Sequence, residues 1–417
     1  MRKNARRTLC ALAVLLLTAA QAMAQEGPQE TFERAMRERE RGDLHEAIRS
    51  FHAILDAHPG LNRARLELAV AYYHALDYRA ALEEARRVLA DPSTPPAVRA
   101  NVERLVERME KEAEPHRFGA FASGGLLYDS NVSAGPASPS YELGGSLIAL
   151  DPNAVERGDS ALLVTLGASH RYLSAFRPGV GGRDGALLWQ SQVLVSALDY
   201  FHENEFDLQV LTLTTGPAWI SPPRLRFLAP LQYDRLQLGR EHYLDILGVN
   251  PALVVGNSAG LEITAESHLQ QRSYKRSLDA GRDSDYYSLG LQLGRVISGV
   301  TLQGGVRRNR DDADDAQWDY RGTEWFGYVA GEVYERTSAY LRLTFARNSY
   351  EQPDPVAGTQ RTDRETRLAL GAAYRFGAGA SEPWSASATL LAIRHRSDVP
   401  FYAFDRRQVS LTLTRSF

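Results

Sequence analysis

Residues 406–417 read RRQVSLTLTRSF. Val409, Leu411 and Leu413 alternate with Gln408, Ser410, Thr412, Thr414 and Ser416. In an extended chain successive side chains point to opposite faces, so this stretch has one apolar and one polar face. The same period recurs upstream. Leu261, Ile263, Ala265 and Leu269 oppose Glu262, Thr264, Glu266, His268, Gln270 and Arg272. Leu368, Leu370, Ala372, Tyr374 and Phe376 oppose Arg367, Ala369, Gly371 and Arg375. Alternation alone fits any antiparallel sheet. Length narrows the choice: these segments run roughly ten to fourteen residues, against about five or six for soluble strands and about nine to eleven for spanning ones. Tyr, Trp and Phe cluster near segment ends, as interfacial girdles do. The last alternating stretch ends in an aromatic residue, Phe417.

From Arg117 onward, Gly/Pro/Asp/Asn/Ser clusters mark off fourteen such segments: 117–128, 160–172, 185–199, 205–218, 224–238, 242–256, 260–273, 284–297, 299–309, 320–333, 337–349, 364–377, 384–396 and 406–417. The expected fold of residues 117–417 is a transmembrane antiparallel β-barrel of fourteen strands. An even strand number puts both barrel ends on the periplasmic side, so connections should alternate short and long. Gly256–Ala259, Ser298 and Glu335-Arg336 are tight, and 274–283, 310–319 and 350–363 are longer polar loops. The connection 173–184 is too long for the turn this count assigns it. The loop 129–159 has room for a short helix or a further strand.

Bulk composition hides this division. The chain has 417 residues, 44% hydrophobic and 24% charged, with a formal charge of -3. Nothing in that balance suggests a nucleic-acid partner. Arg2, Lys3, Arg6 and Arg7 precede a short apolar core, Leu9 to Ala20, and Ala22-Met23-Ala24 forms a small-x-small cleavage pattern. Residues 1–24 therefore read as a secretory signal peptide. Cys10 lies inside it, so the exported chain would use neither disulfides nor thiolate metal sites. No run reaches the length of a spanning helix.

Residues 25–116 are expected to form a short tetratricopeptide-like helical domain on the periplasmic side. Gly42, Ala47, Phe51 and Pro59 fall on the repeat's conserved spacing, and Ala69, Tyr72 and Ala81 follow 34 residues on, with Pro92 one residue early. A third helix, Val98 to Ala113, would cap about two and a half repeats. Such stacks present a concave surface to polypeptides. Tyr72, Tyr73, Arg65 and Arg86 could line it, although Tyr72 also occupies a packing position.

Inward-facing charge is the main chemical feature of the barrel. Glu262, Glu266, Arg272, Arg307, Arg342, Arg367 and Arg375 are the candidate lumen charges. They read either as braces in a hydrated wall or as a charged passage for a client. Glu262, Glu266 and His268 spread over roughly 20 Å along a strand, too far for one metal or acid-base site. The acidic stretch 311–319, DDADDAQWD, lacks the Gly and Glu of an EF-hand and reads as a solvated loop. No GxSxG, HExxH, CxxC or phosphate loop is present, so no enzyme, metal or cofactor is expected.

At the end of the first barrel segment stands Tyr128-Asp129-Ser130-Asn131-Val132. Locally it is turn chemistry. With the signal, the helical repeats and the fourteen strands, it resembles the surface lipoprotein assembly modifier family, the outer-membrane translocons of type XI secretion. The resemblance spans nearly the whole mature chain. It departs in the short helical domain and in Arg415, which stands third from the end where barrel-assembly signals carry an apolar residue. The resemblance implies a Gram-negative outer-membrane monomer, inserted by the barrel-assembly machinery with Phe417 as part of its signal. Its partner would be a client, a surface lipoprotein or secreted protein with a small barrel domain, passed out without catalysis. The alternatives are a polysaccharide-export porin and a passive channel whose helical domain binds a periplasmic protein.

Overall fold

The structure is a computed structural model and describes residues 27–143, 146–180, 183–221, 225–257, 260–376 and 384–417. The expected signal peptide lies outside these. The described chain divides into two units after Ala113.

The first unit holds α1 (Pro28–Glu40), α2 (Leu44–Ala57), α3 (Asn62–His74), α4 (Tyr78–Ala90) and α5 (Pro96–Ala113). Each helix packs on the next. Gly42 turns α1 into α2 at φ +79°, a conformation that suits a residue without Cβ. Asp77 starts α4 by accepting a hydrogen bond from the Ala80 N–H. Phe51, Leu68, Ala47 and Ala64 fill one core between α1, α2 and α3, and Ala69, Ala81, Val102 and Met109 fill a second between α3, α4 and α5. The small residues let helices approach closely. Burying Phe51 and Leu68 contributes about 2–3 kcal/mol each. Tyr72 touches both cores, so it packs rather than lines a free surface. Arg65 and Arg86 are held by Glu84 and Glu110 at 2.7 and 2.6 Å.

The second unit is a closed antiparallel barrel. Its strands are β1 (His116–Asp129), β2 (Asp159–Leu173), β3 (Ala186–Tyr200), β4 (Leu208–Ser221), β5 (Leu225–Leu228 and Leu231–Leu238), β6 (Glu241–Val249 and Ala252–Gly256), β7 (Leu261–Tyr274), β8 (Ser284–Ile297), β9 (Val300–Ala313), β10 (Tyr320–Tyr334), β11 (Thr337–Pro353), β12 (Gln360–Arg375), β13 (Trp384–Ser397) and β14 (Phe404–Ser416). Each pairs with its chain neighbours, and β1 pairs with β14 to close the ring. The fourteen expected segments thus form fourteen strands. β5 and β6, expected as continuous, are each interrupted by a proline.

Outward positions carry exposed apolar side chains all round. Leu126 stands beside Leu411 on one side and Leu162 on the other, and Val195, Leu213 and Leu291 continue the belt. An apolar surface of that extent around a closed barrel belongs in lipid. No helix among the described residues is long and apolar enough to cross a membrane.

The connections follow the expected alternation with three differences. First, β5 and β6 are joined by a two-residue turn, Gly239-Arg240, both at positive φ, at the end where the other loops are longer. Second, the loop after β1 contains a hairpin (Ser140–Leu143 with Ser146–Ala149) and a short 3-10 turn, Pro152–Ala154. The long connection after β2 likewise holds a small hairpin at 179–184 and packs on β4, where the Trp219 indole N–H donates to the Pro178 carbonyl at 2.9 Å. Third, the acidic stretch 311–319 is not all loop. β9 continues to Ala313, and Asp311 is buried in the wall. The alternation of charges there matches the pleat, so Asp311 points inward to Arg272.

Pro217, Pro230 and Pro251 sit on three adjacent strands at matching register. Each proline carbonyl accepts its ladder bond, from Ala229, Asn250 and Ser267 respectively, at 2.9–3.1 Å. None can return one, because proline has no N–H. Three neighbouring seams therefore each lack one ladder bond at one height.

Candidate functional site: the closing seam and the lumen

The ring closes by β1 against β14, from Phe121 opposite Ser416 to Asp129 opposite Gln408. Phe417 extends the ladder by exchanging backbone hydrogen bonds with Ala120. Along the seam the backbones are close: a Cβ on Gly125 would lie 2.1 Å from the Leu411 carbonyl oxygen. Ser123 and Thr414 add one side-chain bond at 3.0 Å.

The Tyr128–Val132 element sits at the loop end of this seam. Asp129 is fully buried. It accepts from Arg406 Nε and Nη2 (2.5–3.1 Å), Gln408 Nε2 (2.6 Å), the Tyr200 hydroxyl (3.0 Å) and the Asn131 N–H (3.0 Å). Ser130 exchanges bonds with the Arg407 backbone, its hydroxyl accepting at 2.9 Å. Asn131 is also fully buried and donates to the carbonyls of Gly135 and Asp405. Val132 packs with Ala161 and Tyr200. Tyr128 faces outward and is 53% exposed, in the position of a membrane-interface aromatic. The element therefore does more than turn the chain. It ties β1 to β14 and to β3 while anchoring the loop that follows.

Lumen charges pair across strands. Glu262 accepts from Arg226 at 2.9 and 3.0 Å. Arg307 bridges Glu266 (2.5 Å) and Glu324 (3.7 Å). Arg272 meets Asp311 at 2.7 Å and lies 3.9 Å over the Tyr286 ring. Arg342 lies over Phe326 at 4.3 Å, and Arg367 pairs with Glu365. Arg375 stands opposite Ser385 at the far end of β12. His268 meets Asn250, not a second acid. Sequence reasoning missed the partners Arg226, Asp311, Glu324 and Glu365, and missed Arg406 altogether. Their signal was available, as charged residues on the polar face of neighbouring segments, but register decides which ones meet. Among the described residues no group of three or more His, Cys, Asp or Glu could hold a metal ion.

Toward the loop end, Arg272, Arg282 and Arg361 gather with Tyr274, Trp318, Tyr320, Tyr350 and Tyr402 around a polar cavity of about 360 Å³. Arg361 is sandwiched between Tyr402 (3.4 Å) and Tyr350 (4.4 Å) and forks onto Asp363. Burial and the Asp354 carboxylate push the Tyr402 hydroxyl up to about 12, so it stays a neutral donor. At the neighbouring loop a hydrogen bond to Asp159 raises His202 above its ordinary value.

Arg415, which departs from the assembly-signal pattern, lies on the outer face over Trp384 (5.5 Å) and Phe417 (4.9 Å). It extends the aromatic girdle at this end instead of breaking it.

No protein-family profile and no curated protein sequence matches the chain. Among solved structures, a Pseudomonas aeruginosa FadL homologue matches with TM-score 0.41 and 8% identity, over 74% of this chain and 91% of that one. Pseudomonas aeruginosa OprD matches with TM-score 0.36 and 10% identity, over 73% and 95%. Pseudomonas aeruginosa OpdQ matches with TM-score 0.35 and 8% identity, over 73% and 99%. Values this low carry neither a relationship nor a function.

Proposed function

We propose that this chain is a Gram-negative outer-membrane translocon that moves a protein client, a surface lipoprotein or related secreted protein, from periplasm to cell surface without enzymatic chemistry. The observation that carries the reading is the placing of Tyr128–Val132. The element that underlies the family resemblance is built into the closing seam, with Asp129 and Asn131 fully buried. The helical unit would receive the client. Its hairpins with alanines at the contacts support a tetratricopeptide reading. Below the Asp129 cluster the seam is held mainly by backbone bonds, which supports it as the place where the wall parts.

Pairing of most lumen charges weighs against a polysaccharide-export porin, whose lumen would offer one sign of charge to its polymer. Two experiments test the reading. Deleting residues 28–113 should abolish client exposure in a protease-shaving assay, and undiminished exposure would remove the helical unit from the mechanism. Oxidising a Ser123→Cys, Thr414→Cys pair should lock the seam and stall export until reductant is added. Full export by the locked barrel would sink the lateral route.

A further inference from the structure

A second cavity, of about 540 Å³, opens on the lumen side of β1 to β5 toward the end opposite the Asp129 cluster. That is the size of a pocket for a small ligand. Arg117 and Arg171 stand directly opposite each other in its wall, one on β1 and one on β2. Like charges in that relation destabilise a sheet. Arg171 adds a second cost: its Nε and Nη2 are shielded from solvent and have no hydrogen-bond partner. The cavity lining includes no Asp or Glu. Elsewhere in the lumen the pattern differs, since Arg226, Arg272, Arg307, Arg361 and Arg406 each meet a carboxylate. A desolvated guanidinium without an acid is a site awaiting an anion.

The rest of the lining says what the anion is attached to. Gln190 and Gln192 stand on β3, next to Arg171, with Ser169 and Thr214 nearby. Leu228 and Pro230 form an apolar side. We infer that this cavity binds a small organic anion, a carboxylate or phosphate on a polyhydroxyl body, with the charge on Arg171 and the hydroxyls on the two glutamines. The inference does not depend on what else the barrel transports.

The test is titration calorimetry on the full chain in detergent, with glucuronate, inorganic phosphate and glucose as probes. Both anions should bind saturably and glucose should not. Arg171→Gln should weaken anion binding about tenfold or more, the scale of a charged hydrogen bond, and Arg171→Lys should retain part of it. Folding is checked by the heat-dependent gel shift of the barrel. Absence of saturable anion binding by the wild-type chain overturns the proposal, as does a folded Arg171→Gln variant that binds like wild type. Should that variant not fold, Gln190→Leu with Gln192→Leu decides. It should weaken glucuronate more than phosphate, and unchanged glucuronate binding overturns the site.

Discussion

The Asp129 carboxylate on β1 and the Arg406 guanidinium on β14 meet as a fork across the closing seam, at 2.5–3.1 Å, with Asp129 sealed from solvent. Removing one partner of such a pair leaves a buried charge uncompensated. Asp129→Ala should therefore cost about 3–5 kcal/mol of barrel stability, read as a lower urea midpoint in lipid vesicles. The double variant Asp129→Ala, Arg406→Leu should recover part of that loss. A single variant as stable as wild type would mean the seam does not depend on the pair.

Asn131 acts on the loop more than on the wall. Its amide donates to Gly135 and Asp405 and its oxygen accepts from the Gly135 N–H at 3.1 Å. Asn131→Ala should cost about 1–3 kcal/mol locally. Protease should then cut within residues 133–158 while the barrel keeps its heat-dependent gel shift. Resistance equal to wild type would contradict the anchoring role.

The proline row gives a prediction of the opposite sign. Pro230→Ala supplies an N–H facing the Asn250 carbonyl, in a register that is continuous on both sides of the break. The restored ladder bond should stabilise the barrel by about 1 kcal/mol, measured as a raised urea midpoint. No gain, or a loss, would show that the break is compensated in another way.

Arg307 lies between Glu266 and Glu324. A double-mutant cycle of Arg307→Gln and Glu266→Gln should return a coupling of about 1–3 kcal/mol. Glu262→Gln, which disturbs only Arg226, should be additive with either. Additivity between Arg307 and Glu266 would demote the triad to a surface-like contact.

His202 supplies a pH dependence. Its folded value lies above the ordinary one of about 6.5 because Asp159 accepts its proton. The folded state binds that proton more tightly, so the tie contributes fully below about pH 6.5 and fades as pH rises through the raised value. Amide exchange of residues 201–206, corrected for its intrinsic pH dependence, should quicken over that rise. His202→Gln should flatten the response, and an unaltered profile in that variant would assign it elsewhere.

Much of this molecule was legible from local pattern. Period two, segment length and turn residues located fourteen strands, because in a barrel each strand must present lipid on one face and lumen on the other. Ala47, Phe51, Ala69 and Ala81 announced the helix contacts for a similar reason, since their spacing is set by one helical face. What stayed hidden depended on neighbours far along the chain. Asp129 and Arg406 are 277 residues apart, and only the register of β1 on β14 brings them together. The acidic stretch after Arg310 looked like solvated loop until Arg272 on another strand gave Asp311 a partner.

The sequence by itself determined the alternation, and with it the membrane barrel, because facing direction follows from backbone geometry at each residue. The tertiary structure alone decided which charges meet, that Asp129 and Asn131 are sealed inside the seam, that three prolines line up across adjacent strands, and that Arg171 lacks an acid. Those facts are set by register and closure, and a shift of two residues in one ladder would keep every face while exchanging every partner.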